Sequence, residues 1–165
     1  MKRASRHGGF TLVELMVTLV VAAILMSIAI PSFQAVSLSS KLRSTANNLS
    51  AAALLARSEA IKRNQPTRLC ASSNGSTCTG DWKQGWVVLS HDNTVIHREG
   101  AAPKGFEVIG TPSSLAFQPD GVGATSARFT VCRVSPSVGS QERIVDISAT
   151  GRPTVTRTAS GTCSS

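Results

Sequence analysis

One carboxylate, Glu14, stands near the start of a long apolar segment. It is the only charged residue between Phe10 and Phe33. A charged side chain at the centre of a membrane helix costs about 2.5 to 3.5 kcal/mol, so its presence indicates a function that involves a charged partner. A new amino terminus, made by cleavage between Gly9 and Phe10, would be such a partner. The favourable interaction of an acid with the dipole of a first helical turn also explains this position, and both explanations can hold together.

A second group of residues suited to chemistry follows Gly121, where every basic residue is an arginine. The guanidinium group is a planar fork that binds phosphate oxygens through two hydrogen bonds. We expect Gly151 to present Arg152 and an alternating strand to bring Arg157 near it, which makes this stretch the best candidate for anion binding. An ordinary solvated surface explains the charge equally well. The five candidates are Arg128, Arg133, Arg143, Arg152 and Arg157.

The charge of the chain is positive and unevenly distributed. The formal net charge is +8, with +5 over residues 34–68, −2 over 69–120 and +3 from residue 121 onward. Such an excess favours anionic partners such as nucleic acid or anionic lipid. Phe129 is the only aromatic residue of the last block. We therefore expect contact with the backbone of duplex DNA, without sequence preference, rather than stacking on single-stranded bases.

Four cysteines lie downstream of the apolar segment, which favours disulfides in an oxidising compartment. Cys70 and Cys78 flank a turn-forming stretch that can bring them within bridging distance, which leaves Cys132 for Cys163. We predict these two bridges, although four cysteines allow three pairings and the sequence alone does not choose among them. A zinc site is the alternative, but neither pair has the usual ligand spacing.

No motif in the chain indicates an enzyme or a cofactor. The nucleophile elbow G-x-S-x-G, the phosphate-binding loop and the H-E-x-x-H zinc motif are all missing from the sequence. His91 and His97 are placed to lie near each other across a hairpin, but no third ligand is evident and we assign them no role. An exported enzyme held by an uncleaved anchor stays a rival hypothesis, for which the sequence offers no candidate residues.

The apolar segment is long enough to cross a membrane, which takes about 20 residues. Lys2, Arg3 and Arg6 precede it, so the positive-inside rule places the amino terminus in the cytoplasm and the rest of the chain outside it. A cleaved secretory signal is the alternative, with Ser27-Ile28-Ala29 as the cut site. The apolar run is longer than the core of such a signal, which favours a retained helix.

The helical pattern continues beyond the apolar segment. Pro31 is expected to kink or break the helix, and an amphipathic pattern resumes after it. We expect the helix to end near Asn64, because Pro66 disfavours helical geometry at the residue before it. The apolar face is predicted to include Phe33, Val36, Leu42, Leu49, Ala53, Ala56 and Ala60.

Eight short segments rich in Val, Ile, Phe and Thr follow, separated by turn residues. They predict an α+β fold in which one or two antiparallel sheets pack against the long amino-terminal helix. The predicted strands are residues 67–71, 85–90, 94–98, 105–109, 115–117, 127–134, 143–148 and 154–158.

The stretch Gly9-Phe10-Thr11-Leu12-Val13-Glu14 resembles the prepilin motif of type IV pilins and type II secretion pseudopilins. The resemblance implies that a prepilin peptidase cuts after Gly9 and methylates Phe10. It also implies that Glu14 pairs with the amino terminus of a neighbouring pilin subunit during assembly. The expected organisation is a leader at 1–9, a transmembrane and assembly helix at 10–33, an amphipathic second half at 34–66 and a β-rich globular domain at 67–165.

Further stretches, among them "LLARSEAIKRN", "DWKQGWVVLS", "LAFQPDGVG" and "ISATGRPTV", resemble minor pilins and pseudopilins of the FimT/GspH family. The resemblance implies two sheets packed against the second half of the helix. FimT-like minor pilins of naturally competent bacteria bind DNA through a carboxy-terminal Gly-Arg motif, whose start Gly151-Arg152 matches. Thr154 follows Pro153 where a second arginine would stand, so Arg157 is the nearest substitute.

The sequence therefore predicts a minor type IV pilin that binds extracellular duplex DNA for natural transformation. Its predicted location is the bacterial inner membrane before assembly, and the periplasm and extracellular pilus afterwards. The alternative is a structural or priming minor pilin, or a type II secretion pseudopilin, with no DNA-binding role.

Overall fold

The computed structural model describes residues 10–121, 124–135, 139, 141–159, 161 and 163. The chain divides into two compact units, one up to Leu38 and the other Ser39–Ser165. A single helix, α1 (Leu12–Arg63), contributes to both units. The predicted leader, residues 1–9 with Gly9, lies outside the described residues.

The first unit contains the apolar half of α1. By length and composition this helix can cross a membrane, and its apolar side chains are exposed to the surroundings. Pro31 lies inside α1, which continues through it without a break. Phe33 and Val36, assigned to the apolar face from the sequence, are 75% and 65% exposed. Burial along α1 begins only at Leu42.

The second unit contains the other half of α1, which packs its apolar stripe into a core. The buried positions recur three and four residues apart, which is the spacing of one helix face. The helix ends at Arg63, and Asn64 follows in the left-handed region at φ 51°. The buried residues of α1 are Leu42, Thr45, Ala46, Leu49, Ala52, Ala53, Ala56 and Ala60.

Within the described residues eight strands follow α1, and all eight correspond to segments predicted from the sequence. They form two four-stranded antiparallel sheets, in the orders β3-β2-β1-β5 and β4-β6-β7-β8. The α+β fold of one long helix and two antiparallel sheets is therefore confirmed. The strands are β1 (Thr67–Ala71), β2 (Trp86–Leu89), β3 (Val95–Glu99), β4 (Phe106–Thr111), β5 (Ser114–Phe117), β6 (Ala127–Arg133), β7 (Glu142–Ile147) and β8 (Pro153–Thr158).

The core of the second sheet centres on Phe129 of β6. Its ring meets that of Trp82 edge to face, with centroids 4.7 Å apart. Gly110 of β4 lies directly opposite Phe129 in the ladder. A Cβ atom at Gly110 would come within 2.1 Å of Cδ1 of the Phe129 ring, so the ring occupies the space above the glycine.

Two disulfide bonds are present in the second unit, between Cys70 and Cys78 and between Cys132 and Cys163. These are the two pairs predicted from the sequence. The first closes the loop after β1, and the second joins β6 to Cys163 near the carboxyl terminus. The bridge at Cys132 therefore fixes the end of the chain to the sheet that carries the candidate arginines.

Candidate functional site

The start of α1 places Glu14 in the first helical turn. The Glu14 N–H donates a hydrogen bond to Oγ1 of Thr11 at 3.2 Å, so Thr11 acts as the amino-terminal cap. Phe10 precedes the helix and is exposed. A threonine cap followed three residues later by a glutamate is the capping-box pattern, which the sequence analysis did not recognise. The local position of Glu14 thus agrees with its helix-dipole explanation.

Arg128 is the candidate whose charge is most clearly compensated. Its guanidinium forms a two-point ion pair with Asp146, at 2.6 Å from Nε to Oδ1 and 3.2 Å from Nη2 to Oδ2. The two residues face each other on β6 and β7. The hydrogen bond from Arg128 to the Asp146 carboxylate raises the pKa of Arg128. Binding a phosphate there would require competition with an existing carboxylate.

Arg133 ends β6 and is half-buried. It lies opposite Phe106 in the ladder between β4 and β6, away from β8. A Cβ atom built on Gly139 would lie 3.1 Å from Nε of Arg133, so the guanidinium packs against that glycine. Arg133 already takes part in an interaction within the protein. It shares β6 with Arg128 and lies one strand away from Arg143, whereas β8 with Arg157 is two strands away.

Arg143 of β7 is a buried arginine, with 7% of its surface exposed. Its Nη1 donates to the carbonyl oxygen of Glu142 at 2.9 Å, and its Nη2 donates to Oγ of Ser39 at 3.2 Å. Burial lowers the pKa of Arg143, and the positive charges of Arg157 and Arg43 lower that pKa further. A guanidinium nevertheless stays protonated at neutral pH, so the positive charge remains.

Arg157 of β8 lies directly opposite Arg143 in the antiparallel ladder. Directly opposite residues project from the same face of a sheet, so both side chains lie on the face that also carries buried Val145. Arg157 itself is exposed. Together with Arg43 and Asn47 of α1, these two arginines line one cleft of about 340 Å³. Arg43 and Asn47 could not be predicted as members of this cleft, because nothing in the sequence indicates which turn of α1 faces β8.

Arg152 lies in the turn that leads into β8 and is exposed. Gly151 supports this turn at φ +70°, in the left-handed region that favours glycine. The Arg152 N–H donates to Oγ of Ser148, and the Ser148 N–H donates to the Arg152 carbonyl oxygen. Five residues of extended chain separate Arg152 from Arg157, which is about 16 Å. The strand therefore places these two arginines at opposite ends instead of side by side.

His91 and His97 are the histidines of the described part of the chain. Within residues 10–121 and the other described parts of the chain, no group of three His, Cys, Asp or Glu side chains is placed to hold a metal ion. His97 of β3 lies opposite Val88, with Nε2 3.8 Å from Oε2 of Glu99. His91 is exposed in the turn between β2 and β3. Neither histidine contacts the arginines described above.

Comparison with known proteins defines the class of this molecule. The family model for the prokaryotic N-terminal methylation motif matches residues 4–30, and the model described as "Type II transport protein GspH" matches residues 45–151. Because that match covers more than half of the chain, the protein belongs to the GspH family of minor pilins and pseudopilins. A comparison with curated protein sequences returned no match.

Two solved structures share this fold. One is the type IV minor pilin FimU of Pseudomonas aeruginosa, with 20% identity, a TM-score of 0.57 and coverage of 73% of this chain and 91% of that one. The other is the minor pseudopilin EpsH from the type 2 secretion system of Vibrio cholerae. It has 13% identity, a TM-score of 0.51 and coverage of 72% of this chain and 97% of that one. At these identities the likeness supports the fold alone.

Proposed function

We propose that this protein is a minor pilin of a type IV pilus that binds extracellular duplex DNA for natural transformation. In this proposal a prepilin peptidase removes residues 1–9 and methylates Phe10. The apolar half of α1 then anchors the subunit in the inner membrane, with the amino terminus in the cytoplasm, until it joins the pilus. Glu14 pairs with the amino terminus of a neighbouring subunit. The exposed apolar side chains along α1 support this assembly role, since only lipid or other subunits can cover them.

The observation that supports DNA binding is the pair of exposed arginines at the two ends of β8. No carboxylate among the described residues forms an ion pair with Arg152 or Arg157. Arg128 contributes less, because Asp146 already neutralises it. An edge strand whose two arginines are about 16 Å apart along the backbone leaves room for contact with two backbone phosphates on one duplex. The expected dissociation constant is roughly 10⁻⁴ to 10⁻⁶ M at physiological salt, and avidity along a filament would raise the overall affinity.

The experiment is a salt series of duplex DNA binding by the purified mature protein in an uncharged detergent. The double variant Arg152→Gln/Arg157→Gln is compared with the wild type. Each lost phosphate contact lowers the slope of log K against log salt by about 0.9, which is about fivefold in affinity at 0.15 M salt. We therefore expect a slope shallower by about 1.8 and an affinity about 30-fold lower.

The matched control is Lys83→Gln/Arg98→Gln, which makes the same change in net charge at exposed positions outside the second sheet. It is expected to change DNA affinity much less than the β8 double variant. Equal losses in the two double variants would mean that only net charge matters, and the β8 site would be wrong. No binding by the wild type at low salt would reject DNA as a ligand.

A structural role in type II secretion is the second candidate. The description of the matching family and the EpsH-like fold favour it. On this hypothesis, deletion of the gene abolishes protein secretion, and the β8 double variant restores secretion fully. If the deletion strain loses DNA uptake but still secretes protein normally, the result supports the pilus proposal instead.

A further inference from the structure

A cleft lined by three arginines lies between helix α1 and the edge strand β8, within the second unit. We call it the arginine cleft, and it encloses about 340 Å³. Two residues on successive turns of the helix form one wall and three residues of β8 form the other, with a buried arginine of β7 between them. The lining residues are Arg43, Asn47, Arg143, Val155, Thr156 and Arg157.

The register of the second sheet brings the arginines together. Arg143 and Arg157 are directly opposite across β7 and β8, where like charges destabilise a sheet. Arg43 adds a third positive charge from α1, and its charge and that of Arg157 both lower the pKa of Arg143. Asn47 is one helical turn beyond Arg43, so both project from the same side of α1. Three guanidinium groups thus converge on one space.

The charge of the cleft is not compensated from within the described part of the protein. Arg143 is nine-tenths buried, yet its hydrogen bonds go to a backbone carbonyl and to the Ser39 hydroxyl, both neutral. Among the residues that the structure describes, no carboxylate forms an ion pair with Arg43, Arg143 or Arg157. A buried charge without a counter-charge is costly, and a protein ordinarily pairs it. The arginine cleft therefore has the electrostatics of a site whose anion comes from outside.

We propose that the arginine cleft binds a phosphate group, with Arg143 as its floor and Arg43 and Arg157 as its two sides. Three guanidinium groups supply more hydrogen-bond donors than the two oxygens of a carboxylate can accept. The oxygens of a phosphate group can accept hydrogen bonds from all three. The Asn47 amide offers a further neutral donor. The source of the phosphate is the DNA backbone, an assignment that rests on the proposed function. One phosphodiester would enter the cleft while Arg152 contacts another phosphate farther along β8.

The test begins with calorimetric titration of inorganic phosphate into the mature protein in an uncharged detergent, at constant ionic strength set with chloride. Arg43→Gln and Arg157→Gln each remove an exposed fork, so both variants are expected to fold. Each is expected to weaken phosphate binding about tenfold or more, since each loses charge-assisted hydrogen bonds. Lys83→Gln is the control, because it removes one exposed positive charge outside the second sheet, and it should leave phosphate affinity within about twofold.

A second titration uses duplex DNA with Arg43→Gln, which leaves both arginines of the proposed function in place. Loss of phosphate and DNA affinity together supports the full proposal. Loss of phosphate affinity with unchanged DNA affinity supports the cleft and rejects DNA as its source. If Arg152→Gln alone weakens DNA binding, the proposed function stands regardless of the cleft.

Two results would overturn the cleft itself. One is the lack of saturable phosphate binding by the wild type, and the other is an equal loss of phosphate affinity in Arg43→Gln and Lys83→Gln. Acetate is titrated in parallel as a probe for a carboxylate. Tighter binding of acetate than of phosphate would reject the phosphate assignment and indicate an acidic side chain of another protein as the occupant.

Discussion

Replacement of Gly110 by alanine tests the packing that holds the second sheet together. A Cβ atom at this position would lie 2.1 Å from Cδ1 and 2.7 Å from Cε1 of the Phe129 ring, far inside van der Waals contact. The ring cannot move away freely, because Phe129 is completely buried and its edge meets Trp82. Overpacking of this kind costs about 1 to 3 kcal/mol. We expect Gly110→Ala to lower the free energy of unfolding by about 2 kcal/mol, roughly 30-fold in the unfolding equilibrium.

The matched background is Phe129→Val, which keeps an apolar side chain but removes the ring atoms Cδ1 and Cε1 that the new methyl group would meet. In that background the remaining close neighbour of the new methyl group is the Arg128 carbonyl oxygen, at 3.0 Å. Alanine also costs less than glycine in a strand, by about 0.5 to 1 kcal/mol. The cost of Gly110→Ala should therefore fall close to zero, which gives a coupling energy of about 2 kcal/mol in the double-mutant cycle.

The assay is unfolding in guanidinium chloride of all four proteins of the cycle, followed by circular dichroism and by tryptophan fluorescence. Both tryptophans lie in the second unit, so fluorescence reports on the domain of interest. If the midpoint of the unfolding curve shifts while the dependence of the unfolding free energy on denaturant concentration stays the same, only stability has changed. If Gly110→Ala has the same cost in both backgrounds, within about 0.5 kcal/mol, the ring does not occupy the space above the glycine and the described core is wrong.

Three further predictions concern pH, cross-linking and assembly. Hydrogen bonds from the Ser90 hydroxyl and, to a smaller extent, from Thr94 lower the pKa of Asp92 from 3.8 to about 2. The ionised Asp92 therefore stabilises the fold above pH 3.8, and this contribution is lost as the pH falls towards 2. Asp92→Asn should therefore flatten the dependence of the melting temperature on pH in that window, and parallel profiles would contradict this. The Cys132–Cys163 bridge spans 31 residues, so the Cys132→Ala/Cys163→Ala variant should have a free energy of unfolding lower by about 3.7 kcal/mol, measured by chemical unfolding. A decrease of less than about 1 kcal/mol would show that the bridge adds little stability. Glu14→Gln should lower the amount of protein in sheared pili by about tenfold, because an unpaired amino terminus in the membrane is costly. Thr11→Ala keeps the charge and removes only the cap, so an equal loss would argue against pairing by Glu14.

The fold was largely predictable because its signals are local. Short segments rich in Val, Ile, Phe and Thr between turn residues located the strands, and Pro66 located the end of α1 to within a residue or two. Pro31 does not interrupt the helix, although the sequence led us to expect a kink or a break there. Phe33 and Val36 belong to the apolar pattern but are exposed, because the pattern does not specify where a partner for the helix begins.

The candidate site was less predictable, because it depends on register and on contacts between distant segments. Arg143 alternates with Val145 and Ile147 along β7, which places it on the buried face of the sheet. A charged side chain is ordinarily expected to be exposed, so the sequence alone did not indicate its burial. The pairing of Arg128 with Asp146 depends on the offset between β6 and β7, which no local signal fixes. Arg43 and Arg157 line the same cleft although more than a hundred residues separate them in the sequence. Only the folded structure shows that they are neighbours.

The intact mass of the protein recovered from pili sheared from cells tests most directly whether this chain is a processed subunit of a type IV pilus. A processed subunit starts at Phe10, carries one added methyl group and is present in the pilus fraction. A chain that still starts at Met1, a cut near Ser27-Ile28-Ala29, or a correctly processed chain that never enters pili would contradict it.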